Sequence, residues 1–258
     1  MKAEFDNAAI TYDTTFTHSA IGKLQRKLVY KKLIPYLNEV KNTLEINCGT
    51  GEDAIWLSDQ NINVLATDIS PKMIEIAKLK AQSSNPTFQI LDINKLKNDL
   101  FDKKFDLVFS NFGGLNCLDE QQLTLFFQNS DSCLSEKGKL ILVIMPKNTL
   151  LEQIYFMLKG NVKQAFRRKK KNIVANVDGE WVNTYYYNPS EIKNIAKKKF
   201  QIISSKPIGF FIPPSYLEPF FKNKTLLLKI LYYLEKSISS WSILSRFADH
   251  YLIVLEKK

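Results

Sequence analysis

The residues best suited to chemistry in this sequence gather around Gly49-Thr50-Gly51, directly after the short apolar run Thr43 to Asn47. Glycine lacks Cβ, so a turn holding Gly49 and Gly51 lets the main chain approach a nucleoside or its tail. A helix starting beyond that turn directs its N-terminus at the same ligand. Gly49-Thr50-Gly51-Glu52-Asp53-Ala54 also satisfies the glycine spacing of dinucleotide folds. An NAD-dependent oxidoreductase is therefore one reading of the turn, although no separate hydride-chemistry site accompanies it. Proton acceptors are scarce, because His18 and His250 are the two histidines. An imidazole titrating near ~6.5 suits a general base, and His18 is the candidate; His250 abuts the last apolar run and reads as structural. Cys48, Cys117 and Cys133 are odd in number and form no Cys-x-x-Cys pair, so neither a disulfide framework nor a metal site is expected.

Composition narrows the classes. At 258 residues and 45% hydrophobic, the chain can bury one large α/β core, with or without a small lobe. Its 36 basic and 26 acidic side chains leave a formal charge of +10, which favours encounters with nucleic acid, an anionic membrane surface or an acidic carrier. Arginine, whose fork reads guanine, occurs only at Arg26, Arg167, Arg168 and Arg246. That argues against sequence-specific nucleic-acid recognition, and a noncatalytic nucleotide-binding or RNA-associated protein is favoured by charge alone. No run reaches the ~20 apolar residues of a membrane span, and the start lacks the basic and apolar regions of a signal peptide. A cytoplasmic protein is expected.

The glycine turn needs a scaffold, and hydrophobic periodicity supplies one. Ile21, Leu24, Leu28 and Leu33 have helical spacing up to a break near Pro35. Strands are expected at Thr43 to Asn47, Ile62 to Thr67, Thr87 to Leu91, Phe105 to Ser110 and Lys139 to Met145. Helices are expected over Glu52 to Gln60, from Pro71 behind a Ser70 cap, and over Glu120 to Leu134. Strands alternating with helices mean right-handed parallel βαβ units. Beyond Met145 come a helix over Leu150 to Leu158 and a hairpin with Asp178-Gly179 as its turn. A helix from Pro189, a strand from Phe200, a helix over Thr225 to Ser237 and a last strand at Tyr251 to Leu255 follow. The sum is an α/β, doubly wound, seven-stranded and mostly parallel sheet. It carries an N-terminal helical lid, with insertions after strand five and between strands six and seven.

Glu45-Ile46-Asn47-Cys48-Gly49-Thr50-Gly51 resembles the first motif of class I S-adenosylmethionine-dependent methyltransferases of the small-molecule type, an acidic residue followed by alternating glycines. The likeness runs to about Met145. It takes in Asp68 closing strand two, Asp92 after strand three, and Phe105-Asp106-Leu107-Val108-Phe109-Ser110-Asn111 at strand four. Asn47 stands where the motif has its first glycine; asparagine tolerates left-handed angles, so the turn should survive with altered contacts. The resemblance implies a Rossmann-like fold, S-adenosylmethionine as methyl donor and S-adenosylhomocysteine as product. It further implies that Glu45 faces the ammonium, that Asp68 accepts from the ribose hydroxyls, and that Ile69 and Met73 flank the adenine. Asp92 and Ile93 would meet the adenine's amino edge, Asn47, Cys48, Gly49 and Gly51 would form the turn, and Asn111 would stand at the mouth. Phe5 to Asp13 resembles the opening segment of these enzymes, which makes Tyr12 and Arg26 candidates to reach the methionine carboxylate. Other readings stand beside these: Asp68 as a strand-end cap for Ser70, Asp92 likewise, and Tyr12 and Arg26 as surface positions on the lid.

One methyltransferase domain, 1–258, is expected. Its parts are a lid and helix (1–40), a cofactor-binding core (41–147), a hairpin insertion (148–190), and C-terminal strands with a substrate-covering helix (191–258). Methyl transfer needs alignment, plus a base when the nucleophile must lose a proton, which is the role open to His18. Phe112-Gly113-Gly114-Leu115-Asn116-Cys117 would form the acceptor mouth. Signatures of adenine or amide methylation are absent, which argues against a base-modifying DNA enzyme. The aromatic residues beyond the core, among them Trp181, Tyr185, Tyr216 and Phe220, suit a phenolic, quinone-like or acyl-chain acceptor or else ordinary core. The acceptor is thus a small, largely apolar molecule methylated on oxygen or carbon. Arg167 to Lys171 could hold an acidic carrier or form a solvated loop. Leu227, Ile230, Leu231, Leu234, Ile238 and Trp241 form a helix face read as internal, with peripheral membrane contact as the alternative.

Overall fold

The computed structural model describes residues 5–97, 100–177 and 180–258. Two apolar layers, split by side-chain alternation, sandwich one sheet. Its strands are β1 (Asn42–Ile46), β2 (Asn63–Asp68), β3 (Thr87–Ile90), β4 (Phe105–Ser110), β5 (Leu134–Ile144), β8 (Phe200–Ile208) and β9 (His250–Lys257), in the order β3-β2-β1-β4-β5-β9-β8. β9 runs antiparallel to both β5 and β8, and the other pairs are parallel. Leu107 to Phe109, Leu140 to Ile144 and Tyr251 to Leu255 are each at most 1% exposed, because the central strands are covered on both faces. Leu44, Val108, Leu140 and Ile253 join one core, while Ala66, Leu107, Ile141 and Leu252 join the other.

Ten α-helices are described. In chain order they are α1 (Ala9–Tyr12), α2 (Ala20–Leu33), α3 (Glu52–Asp59), α4 (Pro71–Lys80), α5 (Glu120–Cys133), α6 (Leu150–Leu158), α7 (Val162–Ala165), α8 (Pro189–Ala196), α9 (Glu218–Phe221) and α10 (Thr225–Ser237). α5 and α8 cover the first core through Phe126, Phe127 and Ile192; α2, α3 and α4 cover the second through Leu28, Leu57 and Ile74. Their starts follow local chemistry. Ser70 accepts from the Met73 N–H ahead of Pro71, and Asp119 with Gln122 and Asn188 with Glu191 form capping boxes.

The insertions lie where the apolar rhythm changes, with α6 to α8 after β5 and α9 to α10 between β8 and β9. β6 (Ile173–Val177) and β7 (Glu180–Thr184) pair as a separate two-stranded sheet. Their expected turn, Asp178-Gly179, lies outside the described residues. β5 starts at Leu134 rather than Lys139, since Leu134 already pairs with Phe105 ahead of an irregularity in the ladder.

Gly51 caps α3 at φ 79°, and a Cβ there would lie 2.8 Å from the Phe88 ring and 2.9 Å from Ala77. It is the close-packing glycine of the turn. Gly51→Ala is expected to cost about 1–3 kcal/mol of stability through overpacking, measured by urea unfolding; an unchanged midpoint would show that Phe88 gives way freely.

The candidate active site

Four strand ends converge on a cleft of about 430 Å³. Asn47 and Gly49 follow β1, Asp68 and Ile69 close β2, Asp92 to Asn94 follow β3, and Asn111 to Gly114 follow β4; all line it. The cleft thus opens at the carboxyl edge, beside the β1/β4 boundary where strand order reverses. Met73 from α4, Asp119 and Gln122 at the start of α5, and Asn183 and Tyr185 at the end of β7 complete the wall. Phe5 and Tyr12 of the N-terminal segment close it from above. That segment is fastened to the turn: Thr50 donates to Asp13 Oδ1 at 2.6 Å, Lys80 pairs with Asp13 Oδ2 at 2.9 Å, and Ser70 donates to Asp6.

Of the residues singled out in sequence, Tyr12, Asn47, Gly49, Asp68, Ile69, Met73, Asp92, Ile93 and Asn111 share this cleft. Asp68 serves both readings at once. Its Oδ2 accepts from the Gly49 N–H and its Oδ1 from the Ser70 N–H, each at 2.9 Å, yet it still faces the cleft. Burial pushes its carboxyl up, against the opposing pull of those N–H groups. Asp92 caps the following short helical turn through the Asn94 N–H. Burial, with Asp53, Asp68 and Asp13 nearby, pushes the Tyr12 phenol up to about 12 against the pull of Arg26, so it remains a neutral donor at neutral pH.

Asn47 adopts φ 57°, as a residue replacing a motif glycine must, and its side chain fills the space over Gly114. A Cβ on Gly114 would lie 2.4 Å from Asn47 Nδ2, so the two positions depend on each other. Phe112, also left-handed at φ 45°, is a strained non-glycine residue facing the cleft.

Five candidates lie elsewhere. His18 is exposed and caps the turn at Asp13–Thr17 through its backbone, so the expected base is not on the cleft wall. Arg26 is withdrawn behind the wall. It pairs with Asp53 Oδ1 at 2.5 Å and lies 5.1 Å from the Phe112 ring centroid. Gly51 packs against Phe88, as above, and Cys48 is buried with its N–H donated to the Thr67 carbonyl at 3.0 Å. Glu45 is buried beneath the turn at 1% exposure and leaves Oε2 without a hydrogen-bond partner. Burial first, then Asp53 and Asp68, push its carboxyl well above the carboxylate range, with Arg26 opposing.

A group with a raised folded pKa contributes stability below its unfolded pKa and loses it as pH rises through the folded value. Glu45→Gln should therefore gain in melting temperature over the parent as pH rises from about 5 to 8. A gap independent of pH, followed by differential scanning fluorimetry, would rule out a charge-burial cost at Glu45.

Asp53, passed over in sequence, is the hub behind the wall, accepting from Tyr30 Oη at 2.7 Å and Asn111 Nδ2 at 3.0 Å besides pairing with Arg26. Asn111 is oriented by that bond and by accepting the Phe112 N–H at 2.9 Å. Buried Asn116 fastens the hairpin to the mouth: it accepts the Met145 N–H at 2.9 Å and donates to the carbonyls of Met145 and Tyr185. Asn183, passed over in sequence, stands two residues before Tyr185, the spacing that puts strand residues on one face.

Among the described residues, those lining the cleft end at Tyr185. Tyr186 and Tyr187 are core, whereas Trp181, Tyr216, Phe220 and Tyr233 are exposed. The Arg167 to Lys171 run is also divided. Arg168 is buried between Glu152 and Asp249, Arg167 pairs with Glu152, and Lys169 to Lys171 remain on the surface.

A dinucleotide would bring two pyrophosphate charges to a wall that carries Asp68, Asp92 and Asp119 but no basic side chain among its described residues. Comparison with known proteins agrees with that electrostatic preference. A family model described as a methyltransferase domain matches residues 43–138. The chain is 33% identical over 207 residues to malonyl-[acyl-carrier protein] O-methyltransferase 2 of Ilyobacter polytropus, covering 78% of this chain and 69% of that one. It is 30% identical over 139 residues to a methyltransferase-named protein of Geobacillus sp. (strain WCH70), covering 53% of this chain and only 56% of that relative's length. In fold it is similar to an S-adenosylmethionine-dependent methyltransferase of Clostridium acetobutylicum, with a TM-score of 0.61 and 16% identity over 96% of each chain. By these likenesses the chain belongs to the class I S-adenosylmethionine-dependent methyltransferases.

Proposed function

We propose that the cleft seats S-adenosylmethionine with its adenosine along Gly49, Asp68, Ile69, Met73, Asp92 and Ile93. The methyl group then passes to an oxygen or carbon of a small, largely apolar acceptor, with an acyl-type carboxylate as the favoured case. The observation that carries the donor assignment is the charge of the wall, three aspartates with no basic side chain among the described lining residues. The donor is a net cation at neutral pH, so such a wall attracts it. The orphaned Glu45 Oε2 and Asn47 Nδ2 add a buried acceptor and a buried donor with unused capacity beneath and beside the turn, which suits an ammonium and a carboxylate.

When bound, S-adenosylmethionine supplies an electrophilic methyl on a sulfonium sulfur. The chain's task is alignment and exclusion of water. Asn111, Phe112, Gly113, Asn183 and Tyr185 all line the cleft and supply two aromatic rings and two amides to it. The described wall offers no imidazole or amine; an acceptor whose oxygen is already anionic needs no proton removed, and the donor's sulfonium charge offsets its repulsion from the aspartates. The relative named for malonyl-[acyl-carrier protein] O-methylation agrees with a carboxylate acceptor, free or carrier-borne.

Two measurements test this. Calorimetry with S-adenosylmethionine, S-adenosylhomocysteine and NAD should show the first two binding and NAD failing to compete; preference for NAD overturns the donor assignment. Methyl-labelled donor offered with short acyl thioesters bearing a free carboxylate should give product that releases its label in mild base, as an ester does. Base-stable label would move the reaction to carbon or to an ether oxygen.

A further inference from the structure

α10 is apolar on two sides. Leu228, Leu231, Tyr232 and Glu235, at helical spacing, face the body of the protein. Glu235 locks the helix down by accepting the N–H groups of residues 209 to 212. Of the face expected to be internal, Leu231 packs against the body and Ile238 is buried, whereas Leu227, Ile230, Leu234 and Trp241 are not covered. Leu226, Leu227, Ile230, Tyr233 and Leu234 are exposed, from 39% at Leu227 to 71% at Leu226. Phe220 before the helix and Trp241 and Ile243 after it are exposed by 59% or more.

The charges around this face have one sign. Between Pro219 and Ala248 the one acidic residue is Glu235, which is buried. Lys222, Lys224, Lys229, Lys236 and Arg246 are exposed. Lys224 lies over the Phe220 ring and Lys236 near Tyr233, the placement of cations whose stems run along apolar surface. The segment also joins β8 to β9 at the sheet edge where the cleft opens, since β9 begins there at His250 and His250 packs edge-on against Phe112.

We propose that α10 and its flanks dock this protein on an anionic lipid bilayer, with Leu227, Ile230 and Leu234 entering the acyl boundary and the lysines meeting headgroup phosphates. An apolar helix face bordered by lysine, with tyrosine and tryptophan at its margin, is the pattern of an interfacial helix. A protein partner reading the same charges would be served better by arginine forks, and lysine supplies four of the five cations. The proposal rests on the exposed apolar face and the charges that border it. It does not depend on the identity of the acceptor.

The test is flotation of the full chain with vesicles of phosphatidylcholine alone and of phosphatidylcholine with phosphatidylglycerol, without acceptor or methyl transfer. Binding is expected only to the anionic vesicles and should fall in about 0.5 M salt. Lys229→Glu with Lys236→Glu should weaken it by roughly tenfold per lysine or more. Ile230→Glu should abolish it while donor binding, followed by calorimetry, stays intact. Equal binding to neutral vesicles, no binding to either, or indifference to both variants overturns the proposal. So does sedimentation showing that Ile230→Glu dissolves a self-associated form while vesicle binding is absent, which would assign the face to a second copy.

Discussion

Replacing Arg168 by alanine is expected to destabilise the fold by about 3–5 kcal/mol, because it strands buried carboxylates rather than merely removing a contact. Arg168 Nη2 lies 2.7 Å from Glu152 Oε2 and 2.8 Å from Asp249 Oδ1, and these side chains are only 6%, 1% and 4% exposed. Nε gives a second bond to Glu152 and Nη1 donates to the Asp249 carbonyl, so α6, the basic turn and the start of β9 are fastened at one point. Burial pushes the Asp249 carboxyl up, but His250 and Arg168 outweigh it and hold it well below the usual range. A depressed carboxyl contributes stability above its unfolded pKa and loses it as pH falls through the folded value. The gap between parent and Arg168→Ala should therefore narrow as pH falls below about 4, since the variant's Asp249 is neutralised first. At about 2–4 °C per kcal/mol for a chain of this size, the neutral-pH melting point should drop by roughly 6–20 °C. Arg168→Lys should recover only part of it, a single ammonium being unable to match the fork. A drop of a degree or less in Arg168→Ala would show that water replaces the guanidinium.

The second large effect is expected at Asp68. Asp68→Ala should weaken binding of S-adenosylmethionine roughly tenfold to a hundredfold, the equivalent of about 1.5–3 kcal/mol for a charge-assisted hydrogen bond. Because Asp68 also holds the Gly49 and Ser70 N–H groups, calorimetry must be paired with the melting point of the ligand-free protein. A purely structural carboxylate would lower the melting point and leave affinity unchanged at a temperature where the variant is folded. A ligand-facing one lowers affinity under those conditions. Since burial raises the Asp68 pKa, affinity in the parent should fall as pH drops, and the variant should lack that dependence.

Much of this architecture is legible in the sequence itself. The ranges of β4, α6 and α10 follow directly from apolar periodicity, and Ser70-Pro71 marks a helix start by capping chemistry that works within four residues. The strand-end wall of the cleft was legible for the same reason. Gly49, Asp68 and Asp92 each sit at a strand end, and parallel topology brings strand ends together.

The misplacements share one cause: a side chain's partner lies far along the chain. Arg26 answers to Asp53, and Arg168 to Glu152 and Asp249. Periodicity likewise shows that α10 is apolar on most of its circumference without showing which side is covered. Sequence alone thus determined the strand–helix order, the glycine turn and the carboxylates that follow it, because these depend on neighbours within a few residues. Only the tertiary structure decided that His18 and Arg26 leave the cleft, that the basic run turns inward and that one face of α10 stays open. Burial and charge pairing are properties of the packed chain, and a one-dimensional pattern does not encode which distant group arrives to satisfy them.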